Sequence, residues 1–427
     1  MIEIIMHSGE FYHPAHKVIP SIKPLLTTIQ AGFEALKRIE KNKVIDLFQK
    51  FSENVIKDPT TMGIEGVAFL SSWLRKANMM QIVQKNLKDI AYLDHFVGEA
   101  KRIKAQPRGI ACHWIAGNVP TIGLFSLFQS MLVGNANVLR IPPKSHDTMV
   151  RLLMVFASTR IDGLAGADLL KSTAILYYDR TDQKANEELS DIADVRIVWG
   201  GEEAVKSITG LPRRAHCEDV VFGPKYSFAV LDREAINSKE LSRTLRLLAS
   251  DIFLFDQAAC TSPHVLFCEK AGIDIASIAR LLGEEMGKLS KRFPKTEIDQ
   301  YIMTRIINAR AEHALDEDAS VFCPPENDWT ILVNKRPGLE EPIESRTIFL
   351  KEVDSIMDVL PHVTKKVQTV GCAVGDKAKL LAFADAVTFR GVARCVNIGQ
   401  MHLFDCPWDG ILTMSRLVNW VTLYHGE

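Results

Sequence analysis

The residue best suited to covalent chemistry is Cys260, which lies in the segment FDQAACTSP at residues 255–263. This segment separates a helical pattern from a strand-like run, and its small side chains leave a thiol within reach of a substrate. A thiolate at this place can attack an acyl carbonyl and carry the acyl group as a thioester. The opposing interpretation is inert packing, because cysteine is among the most buried residue types.

Asn118 is the second candidate, in the segment WIAGNVP at residues 114–120, where a strand pattern gives way to a helix. A neutral amide can donate a hydrogen bond to the oxyanion that forms during acyl transfer. Taken alone, an asparagine just before Pro120 is more typical of a helix N-cap. The prediction of acyl chemistry therefore requires Cys260 and Asn118 to meet in one cleft.

A cofactor site is indicated by the segment VWGGEEAV at residues 198–205, in which Trp199 ends a strand and Gly200 and Gly201 precede a helix. Backbone N–H groups at such a turn can approach a pyrophosphate. From spacing alone, an ordinary β-to-α turn is the favoured interpretation. Neither a Gly-x-Gly-x-x-Gly fingerprint nor a P-loop occurs.

Arg140 ends another strand pattern, in VLRIPPKS at residues 138–145. Its planar guanidinium suits a ribose or a 2′-phosphate, although a solvated charge at a strand end is the favoured interpretation of this residue taken alone.

The chain also carries histidines that are candidates for a general base, and spacing selects none of them: His113, His264, His313 and His402. Its eight cysteines form no Cys-x-x-Cys pair and no His/Cys cluster with zinc spacing, so no metal is predicted.

Composition narrows the function classes. The 427 residues carry 51 Lys+Arg against 52 Asp+Glu, a net charge of −1, which gives no argument for nucleic acid or a membrane surface. Scattered cysteines and the lack of a signal-peptide pattern predict a cytoplasmic protein. The charge-free stretch 114–139 contains amides, a proline and a glycine, so it predicts a buried strand–helix–strand unit and not a membrane span.

Periodicity predicts two α/β parts after a mostly helical region over residues 1 to about 100. Strands alternating with helices predict right-handed crossovers and parallel sheets, with ligands at the carboxyl ends of the strands. The first set of predicted strands is 109–115, 136–141, 173–178, 195–199 and 219–222, with helices at 121–132, 148–159 and 181–192. The second set is 228–231, 264–268, 330–333, 347–350 and 367–374, with helices at 238–253, 273–291, 297–315 and 377–386.

Taken together, these segments resemble the aldehyde dehydrogenase superfamily, in consistent order over residues 107–412. The matching segments are Trp114…Asn118-Val119-Pro120, GNANVLR at 134–140, Gly200-Gly201, QAAC at 257–260 and PWDG at 407–410. The resemblance implies four parts: 1–106, a helical portion of the cofactor domain; 107–224, a dinucleotide-binding α/β domain; 225–395, a catalytic α/β domain; and 396–427, a segment returning to the interface between domains. It also implies that the cofactor-binding residues are Arg140, Trp199, Gly200, Gly201 and Phe349.

The HWIAGNVP and QAACTSP segments resemble the acyl-CoA reductase branch, the LuxC type, which includes reductases that supply aldehyde for bacterial luminescence. Hydrolytic members of the superfamily carry Glu-Leu-Gly-Gly-Lys before the catalytic domain, and the glutamate activates water. Here the stretch is VFGPK at 221–225, with Val221 at the glutamate position. Without that base, the acyl group should pass to or from a thiol and not to water.

The resemblance implies NADPH-dependent reduction of a long-chain fatty acyl-CoA, or another acyl thioester, to the aldehyde through an acyl-Cys260 intermediate. A lost ribose-binding carboxylate around Thr347–Phe349, together with Arg140, favours NADPH over NADH. Acyl-CoA or an acyl-protein, a homo-oligomer and other subunits of a fatty acid reductase complex are the implied partners. The alternatives are a short-chain CoA-acylating dehydrogenase, an acyl phosphate reductase, a non-catalytic acyl-carrying scaffold, and a binding protein on a dehydrogenase-like fold.

Overall fold

The computed structural model describes residues 1–15, 17–295 and 298–424. The chain divides into two compact units. The first comprises Met1–Gly223 and the segment that begins at Phe404, and the second comprises Pro224–Leu403. The first boundary thus falls beside the expected position after residue 224. The second lies later than the expected position after residue 395, because the strand Arg394–Asn397 pairs within the second unit.

Within these ranges, the strands are β1 (Ile2–His7), β2 (Glu10–Phe11), β3 (Lys17–Ile19), β4 (Lys101–Pro107), β5 (Ile110–Trp114), β6 (Ala136–Arg140), β7 (Arg160–Ile161), β8 (Leu164–Ala165), β9 (Thr173–Tyr177), β10 (Val195–Trp199), β11 (Glu218–Phe222), β12 (Tyr226–Leu231), β13 (Pro263–Glu269), β14 (Ser320–Phe322), β15 (Thr330–Val333), β16 (Thr347–Val353), β17 (Val367–Ala373), β18 (Arg394–Asn397) and β19 (Val418–Tyr424). The α-helices are α1 (Leu26–Leu36), α2 (Lys41–Val55), α3 (Val67–Trp73), α4 (Lys76–Leu87), α5 (Ala91–Asp94), α6 (Ile122–Leu132), α7 (His146–Ser158), α8 (Gly166–Leu170), α9 (Gln183–Ile192), α10 (Glu202–Thr209), α11 (Arg233–Ile236), α12 (Leu241–Phe253), α13 (Ile275–Arg292), α14 (Gln300–Leu315), α15 (Lys377–Phe389) and α16 (Thr413–Arg416).

The first unit is built on an eight-stranded sheet with the order β11-β10-β5-β6-β9-β1-β2, in which β3 also pairs with β1. Strands β11, β10, β5, β6 and β9 run parallel, as their alternation with helices predicts. The chain passes from β5 to β6 on one side and later returns to β10 on the other. The crevice outside the carboxyl ends of β5 and β10 is therefore a topological switch point, where such sheets bind ligands.

The prediction that residues 1 to about 100 are mostly helical is confirmed, although strands that it did not include flank the helices. Helices α1–α5 are present, but β1 extends the sheet by pairing antiparallel with β9, and β4 pairs with β19 at the far end of the chain. The apolar, β-branched segment at Ile2–Ile5 is too short for an amphipathic helix, and it fits a half-covered sheet edge. Sequence spacing does not reveal its partner, which is more than a hundred residues away.

The charge-free stretch 114–139 forms the end of β5, all of α6 and most of β6, which confirms the predicted strand–helix–strand unit. Every residue of α6 is buried, and this explains why the helix is apolar all round. A ring cluster of Phe48, Phe51, Phe128 and Phe156 packs with centroid distances of 4.9–6.0 Å. Among the residues that the structure describes, no helix is both long and apolar enough to cross a membrane.

The second unit contains a seven-stranded sheet with the order β14-β15-β16-β13-β12-β17-β18, parallel except for β14. The strands and long helices predicted for this part are confirmed, with ends that shift by a few residues. Residue 297, where one predicted helix begins, lies outside the described residues. Helix α14 starts at Gln300, because the Asp299 carboxylate caps the backbone N–H groups of Tyr301 and Ile302.

Candidate active site

Cys260 lies on the loop that joins α12 to β13 in the second unit, at the amino-terminal edge of the parallel sheet. The loop begins with a turn in which Phe255, Asp256 and Gln257 have φ values of 56°, 48° and 67°. Three consecutive non-glycine residues in the left-handed region are unusual and need support from their surroundings. Hydrogen bonds of Gln257 and Ser227, together with the ion pair of Asp256 and Arg346, provide that support.

The Gln257 amide fixes the loop to β16. Its Nε2 donates to the carbonyl oxygens of Pro263 and Thr347, both at 2.8 Å, and its Oε1 accepts from the Thr347 N–H at 2.7 Å. The side chain is fully buried, so leaving these groups unpaired would be costly. The glutamine three residues before the cysteine is therefore a structural clamp on the loop that carries Cys260.

The backbone of Cys260 itself is held from the neighbouring strands. The Ser227 hydroxyl, at the start of β12, donates to the Cys260 carbonyl at 2.7 Å, and the Thr369 N–H of β17 donates to the same hydroxyl oxygen at 3.1 Å. The Ser262 N–H donates to the Ala259 carbonyl at 2.9 Å and closes a tight turn around Cys260. The thiol is thus carried on a rigid backbone.

A charged contact closes the outer side of the loop. Asp256 pairs with Arg346 at 2.7 Å, and the guanidinium of Arg346 lies 4.2 Å from the ring centroid of Phe253. Arg346 ends a second left-handed run, over residues 344–346, just before β16. Nearby, burial lowers the pKa of Lys295 to about 8, and its ammonium donates to the Ser345 carbonyl at 2.9 Å.

The surroundings of the eight cysteines separate them, and all eight lie in the described part of the chain. Cys260 is half-buried, Cys395 is half-buried and Cys323 is exposed. The buried thiols are Cys112, Cys217, Cys268, Cys372 and Cys406. A hydrogen bond from Cys372 lowers the pKa of Cys395, which makes Cys395 the one rival nucleophile that has an electrostatic argument in its favour.

The histidines that sequence left open as bases are all buried. His402 contacts Thr261, the residue that follows Cys260. Its Nε2 donates to the Asp251 carbonyl at 2.7 Å, and its Nδ1 accepts from the Thr261 hydroxyl at 2.8 Å. Burial lowers its pKa to about 4, and burial lowers that of His264 to about 3. The ring of His402 is therefore neutral and occupied on both nitrogens, so it positions Thr261 and does not take protons.

In the first unit, the candidate oxyanion donor Asn118 and three of the candidate cofactor residues lie together at the carboxyl edge of the sheet. Asn118 follows β5, Arg140 ends β6, and Gly200 and Gly201 follow β10. Because β6, β5 and β10 are consecutive neighbours, these positions share the switch point. Asn118 is exposed, and helix α6 has Thr121 as its N-cap residue, so the N-cap interpretation of Asn118 is wrong.

The two glycines of the turn after β10 differ in the space that a side chain would find there. Gly201 is the N-cap of α10, and a Cβ on it would meet no atom within 4 Å. A Cβ on Gly200 would lie 3.0 Å from the Cβ of Ala204. A side chain at residue 200 would thus be crowded by Ala204, whereas Gly201 leaves an open approach to the backbone.

A chain of buried hydrogen bonds holds Trp199, the last residue of β10, in place. The Trp199 indole N–H donates to the Ser126 hydroxyl at 3.2 Å, and that hydroxyl lies 2.8 Å from Nδ1 of His113. His113 Nε2 is 3.1 Å from the Asn137 side-chain oxygen, an acceptor, so Nε2 carries the proton. Burial lowers the pKa of His113 to about 4. Trp199 also stacks on Phe222 with centroids 3.8 Å apart.

The two remaining cofactor candidates are more constrained than sequence suggested. Arg140 donates from Nε and Nη2 to the Tyr178 carbonyl at 3.3 and 3.1 Å, and burial lowers its pKa. Phe349 lies within β16, is buried, and packs its ring 5.8 Å from that of His313. These contacts favour a packing role for Phe349, whose assignment to the cofactor stays a prediction.

The sequence did not predict the residues that hold these segments in place. Ser227 and Thr369 hold the Cys260 backbone, Ser126 accepts from Trp199, and Thr347 of β16 pairs with Gln257. Small hydroxyl residues at strand starts carry no signal of their own. Cys260 belongs to the second unit and Asn118 to the first. That they act in one site stays a prediction, which substitution of Asn118 can test.

The fold is that of the aldehyde dehydrogenases. The chain is similar to the crystal structure of NADP-dependent glyceraldehyde-3-phosphate dehydrogenase from Bacillus halodurans C-125 complexed with NADP, with a TM-score of 0.68 at 13% identity over 99% of each chain. The profile of the acyl-CoA reductase (LuxC) family matches residues 29–420, and the chain belongs to that family. It is therefore an enzyme, an oxidoreductase of the acyl-CoA reductase type.

Among curated proteins, the chain is similar to long-chain acyl-protein thioester reductase 2 of Photobacterium leiognathi, with 26% identity over 81% of this chain and 71% of that protein. It is also similar to long-chain acyl-protein thioester reductase of Aliivibrio fischeri, with 26% identity and the same coverage.

Proposed function

We propose that this enzyme reduces a long-chain fatty acyl thioester, on CoA or on a carrier protein, to the fatty aldehyde, with NADPH as reductant and an acyl-Cys260 intermediate. The observation that carries the proposal is the half-buried thiol of Cys260 on a loop clamped by Gln257 and Ser227. Membership of the acyl-CoA reductase family, and the names of the two curated relatives, support this class of substrate.

The residues of the first unit fit a nicotinamide dinucleotide. The open space at Gly201 and the N-terminus of α10 leave backbone N–H groups accessible to a pyrophosphate at the switch point. Glu202 and Glu203 follow in the first turn and suit the helix dipole, so the approach must be to the backbone of the turn and not to the helix side chains. When bound, the reduced nicotinamide supplies a hydride.

In this proposal the chain's own residues perform the acyl transfer. The Cys260 sulfur forms a bond to the acyl carbon, and the carbonyl oxygen becomes an oxyanion that accepts from the Cys260 N–H and from the Asn118 amide. The C–S bond to the thiol of CoA or the carrier then breaks, and that thiol leaves. After hydride delivery to the acyl carbon, the bond to Cys260 breaks and the aldehyde is released.

Two features support reduction over hydrolysis and NADPH over NADH. Val221, at the position of the glutamate in hydrolytic aldehyde dehydrogenases, has no carboxylate to activate water. Arg140 places a cationic group at the end of β6, close to the switch point, where a 2′-phosphate would be neutralised.

Assembly is part of the proposal as well. The two-stranded sheet of β4 and β19 leaves Trp420 44% and Tyr424 71% exposed, and a second copy of the chain would cover these rings. A homo-oligomer, alone or within a fatty acid reductase complex, is therefore expected.

Acyl trapping tests the nucleophile directly. Incubation with radiolabelled myristoyl-CoA in the absence of NADPH should label the wild-type chain and leave Cys260→Ser unlabelled. Cys395→Ser and Cys323→Ser are the matched controls, because their thiols are also accessible, and both should label normally. Label retained by Cys260→Ser and lost from Cys395→Ser would move the nucleophile to Cys395.

Chain-length preference follows from the same assay. Rates of NADPH oxidation with acetyl-CoA through palmitoyl-CoA should rise with chain length. A maximum at acetyl-CoA would replace the proposal with a short-chain CoA-acylating dehydrogenase.

A further inference from the structure

Three side chains with metal-ligating atoms meet in the first unit. They are Glu3 of β1, His13 of the turn between β2 and β3, and His146 at the start of α7. One ligand atom from each lies within 4.8 Å of the others. The three residues come from separate segments, so their spacing along the sequence shows no zinc pattern.

His146 is the residue that most needs a ligand. Its side chain is 7% exposed, and its Nε2 is buried without a hydrogen-bond partner in the part of the chain that the structure describes. Buried polar atoms are normally paired, and an orphaned one requires an explanation. The other ring nitrogen is engaged by the backbone of Ile141. That bond leaves Nε2 as the nitrogen that can accept a ligand, in the same way as outer hydrogen bonds orient metal-bound histidines.

The ring of His146 is also held in place by its neighbours. It packs edge-on against Tyr177 at 5.2 Å and against His13 at 5.6 Å. Glu3 supplies a carboxylate from the strand that forms the sheet extension. Two imidazoles and one carboxylate, with a fourth position for water, is a ligand set that zinc uses in proteins, whereas calcium and magnesium favour oxygen ligands alone.

We propose that Glu3, His13 and His146 together bind one divalent zinc ion. Tetrahedral zinc with bonds of about 2.0–2.2 Å separates its ligand atoms by roughly 3.4 Å. The ligand atoms here lie within 4.8 Å of one another, which is close enough for small side-chain rotations of the half-buried Glu3 and His13 to complete the site. The ion would join β1 and the following turn to the first turn of α7, which comes after the strand of Arg140. This role is structural and lies outside the proposed acyl chemistry.

Zinc binding by the full chain tests the proposal. After chelator treatment and dialysis against Zn²⁺, the wild type should retain one equivalent, measured by mass spectrometry of the metal. Glu3→Gln and His146→Asn should each weaken binding by at least about 10–100-fold, as loss of a ligating interaction does. His95→Asn, a change at an exposed histidine in the same unit, should bind as the wild type does.

Substitution by Co²⁺ identifies the ligands. The wild-type spectrum should show the visible bands of a tetrahedral nitrogen and oxygen site, without the near-ultraviolet bands of thiolate ligation, and Cys260→Ser should leave it unchanged. Zinc should raise the unfolding temperature of the wild type and not that of Glu3→Gln, an isosteric change that carries the test even if His146→Asn does not fold. Wild-type zinc affinity in both ligand variants, or a thiolate spectrum, would overturn the assignment and leave an adventitious ion only.

Discussion

The thiol of Cys260 is one of eight in the chain, and its surroundings single it out. Five of the others are buried, while Cys260 is half-buried on a backbone fixed by Ser227 and Gln257. A nucleophile gains most from such fixation, because attack requires the sulfur and the carbonyl carbon to be aligned. If Cys260 is the nucleophile, as proposed, the contacts of Ser227 and Gln257 serve its alignment.

Substitution of Asn118 tests the oxyanion contact. Asn118→Ala should lower kcat by about 10²–10³ while acylation of Cys260 stays detectable, because loss of one oxyanion donor has an effect of this size. Steady-state kinetics with myristoyl-CoA measure it, and Asn78→Ala on the exposed face of α4 is the control. An unchanged kcat would assign Asn118 to the corner of the fold alone.

At the residue scale, sequence predicted the candidate nucleophile and donor because they occur in short, ordered motifs. It did not predict their supports. Gln257 donates a hydrogen bond to Thr347, 90 residues further along the chain, and Ser227 donates one to the Cys260 carbonyl, 33 residues further along. Such contacts depend on which strands become neighbours, and no local pattern encodes that.

At the scale of elements, strand order places the candidate groups. Strands β6, β5 and β10 are neighbours, so the residues after them collect at one edge. In the second unit the loop that carries Cys260 precedes β13 and lies at the amino-terminal edge, opposite to the edge where parallel sheets usually bind ligands. The general rule therefore agrees with the position of the candidate cofactor residues in the first unit, but it does not lead to the loop of Cys260.

The glycine turn allows a paired prediction. Gly201→Ala should leave the free energy of unfolding nearly unchanged, because the added Cβ meets no protein atom, yet it should raise the KM for NADPH by obstructing the pyrophosphate. Gly200→Ala is the matched variant, in which the Cβ of Ala204 lies 3.0 Å away, and it should lower stability. Urea unfolding and initial rates measure both. A Gly201→Ala enzyme with wild-type KM would show that the cofactor binds elsewhere.

Elements that alternate regularly were predictable, and those that pair over long distances were not. The strands from β5 to β11 follow the predicted bounds to within a few residues where they were predicted. β1 and β4 were missed, because each completes a sheet with a strand far along the chain, β9 for the first and β19 for the second. The pattern of a short apolar or mixed segment does not indicate which distant strand it will pair with.

For the whole molecule, titration of a buried carboxyl links stability to pH. Burial raises the pKa of Asp251 from 3.8 to about 7, and its carboxylate accepts from the Gly399 N–H beside the His402 segment. A folded-state pKa above the unfolded value means that the native state binds the proton more tightly. The contribution to stability is therefore complete below pH 3.8 and is lost as the pH rises through about 7.

Asp251→Asn should remove this dependence. The free energy of unfolding of the variant, relative to the wild type, should rise between pH 4 and 7 by on the order of 1–4 kcal/mol, because each unit of pKa shift corresponds to about 1.4 kcal/mol. Urea unfolding at several pH values measures the difference, and Asp354→Asn at the surface is the control. A constant difference across this range would contradict a raised pKa at Asp251.

The most direct test of the account separates the two half-reactions. The chain is acylated with myristoyl-CoA, freed of excess substrate, mapped by peptide mass spectrometry, and then mixed with NADPH. We expect one acyl group on Cys260 and, on mixing, one myristaldehyde released for each NADPH oxidised. An acyl group on another residue, or release as myristic acid with no NADPH consumed, would contradict it.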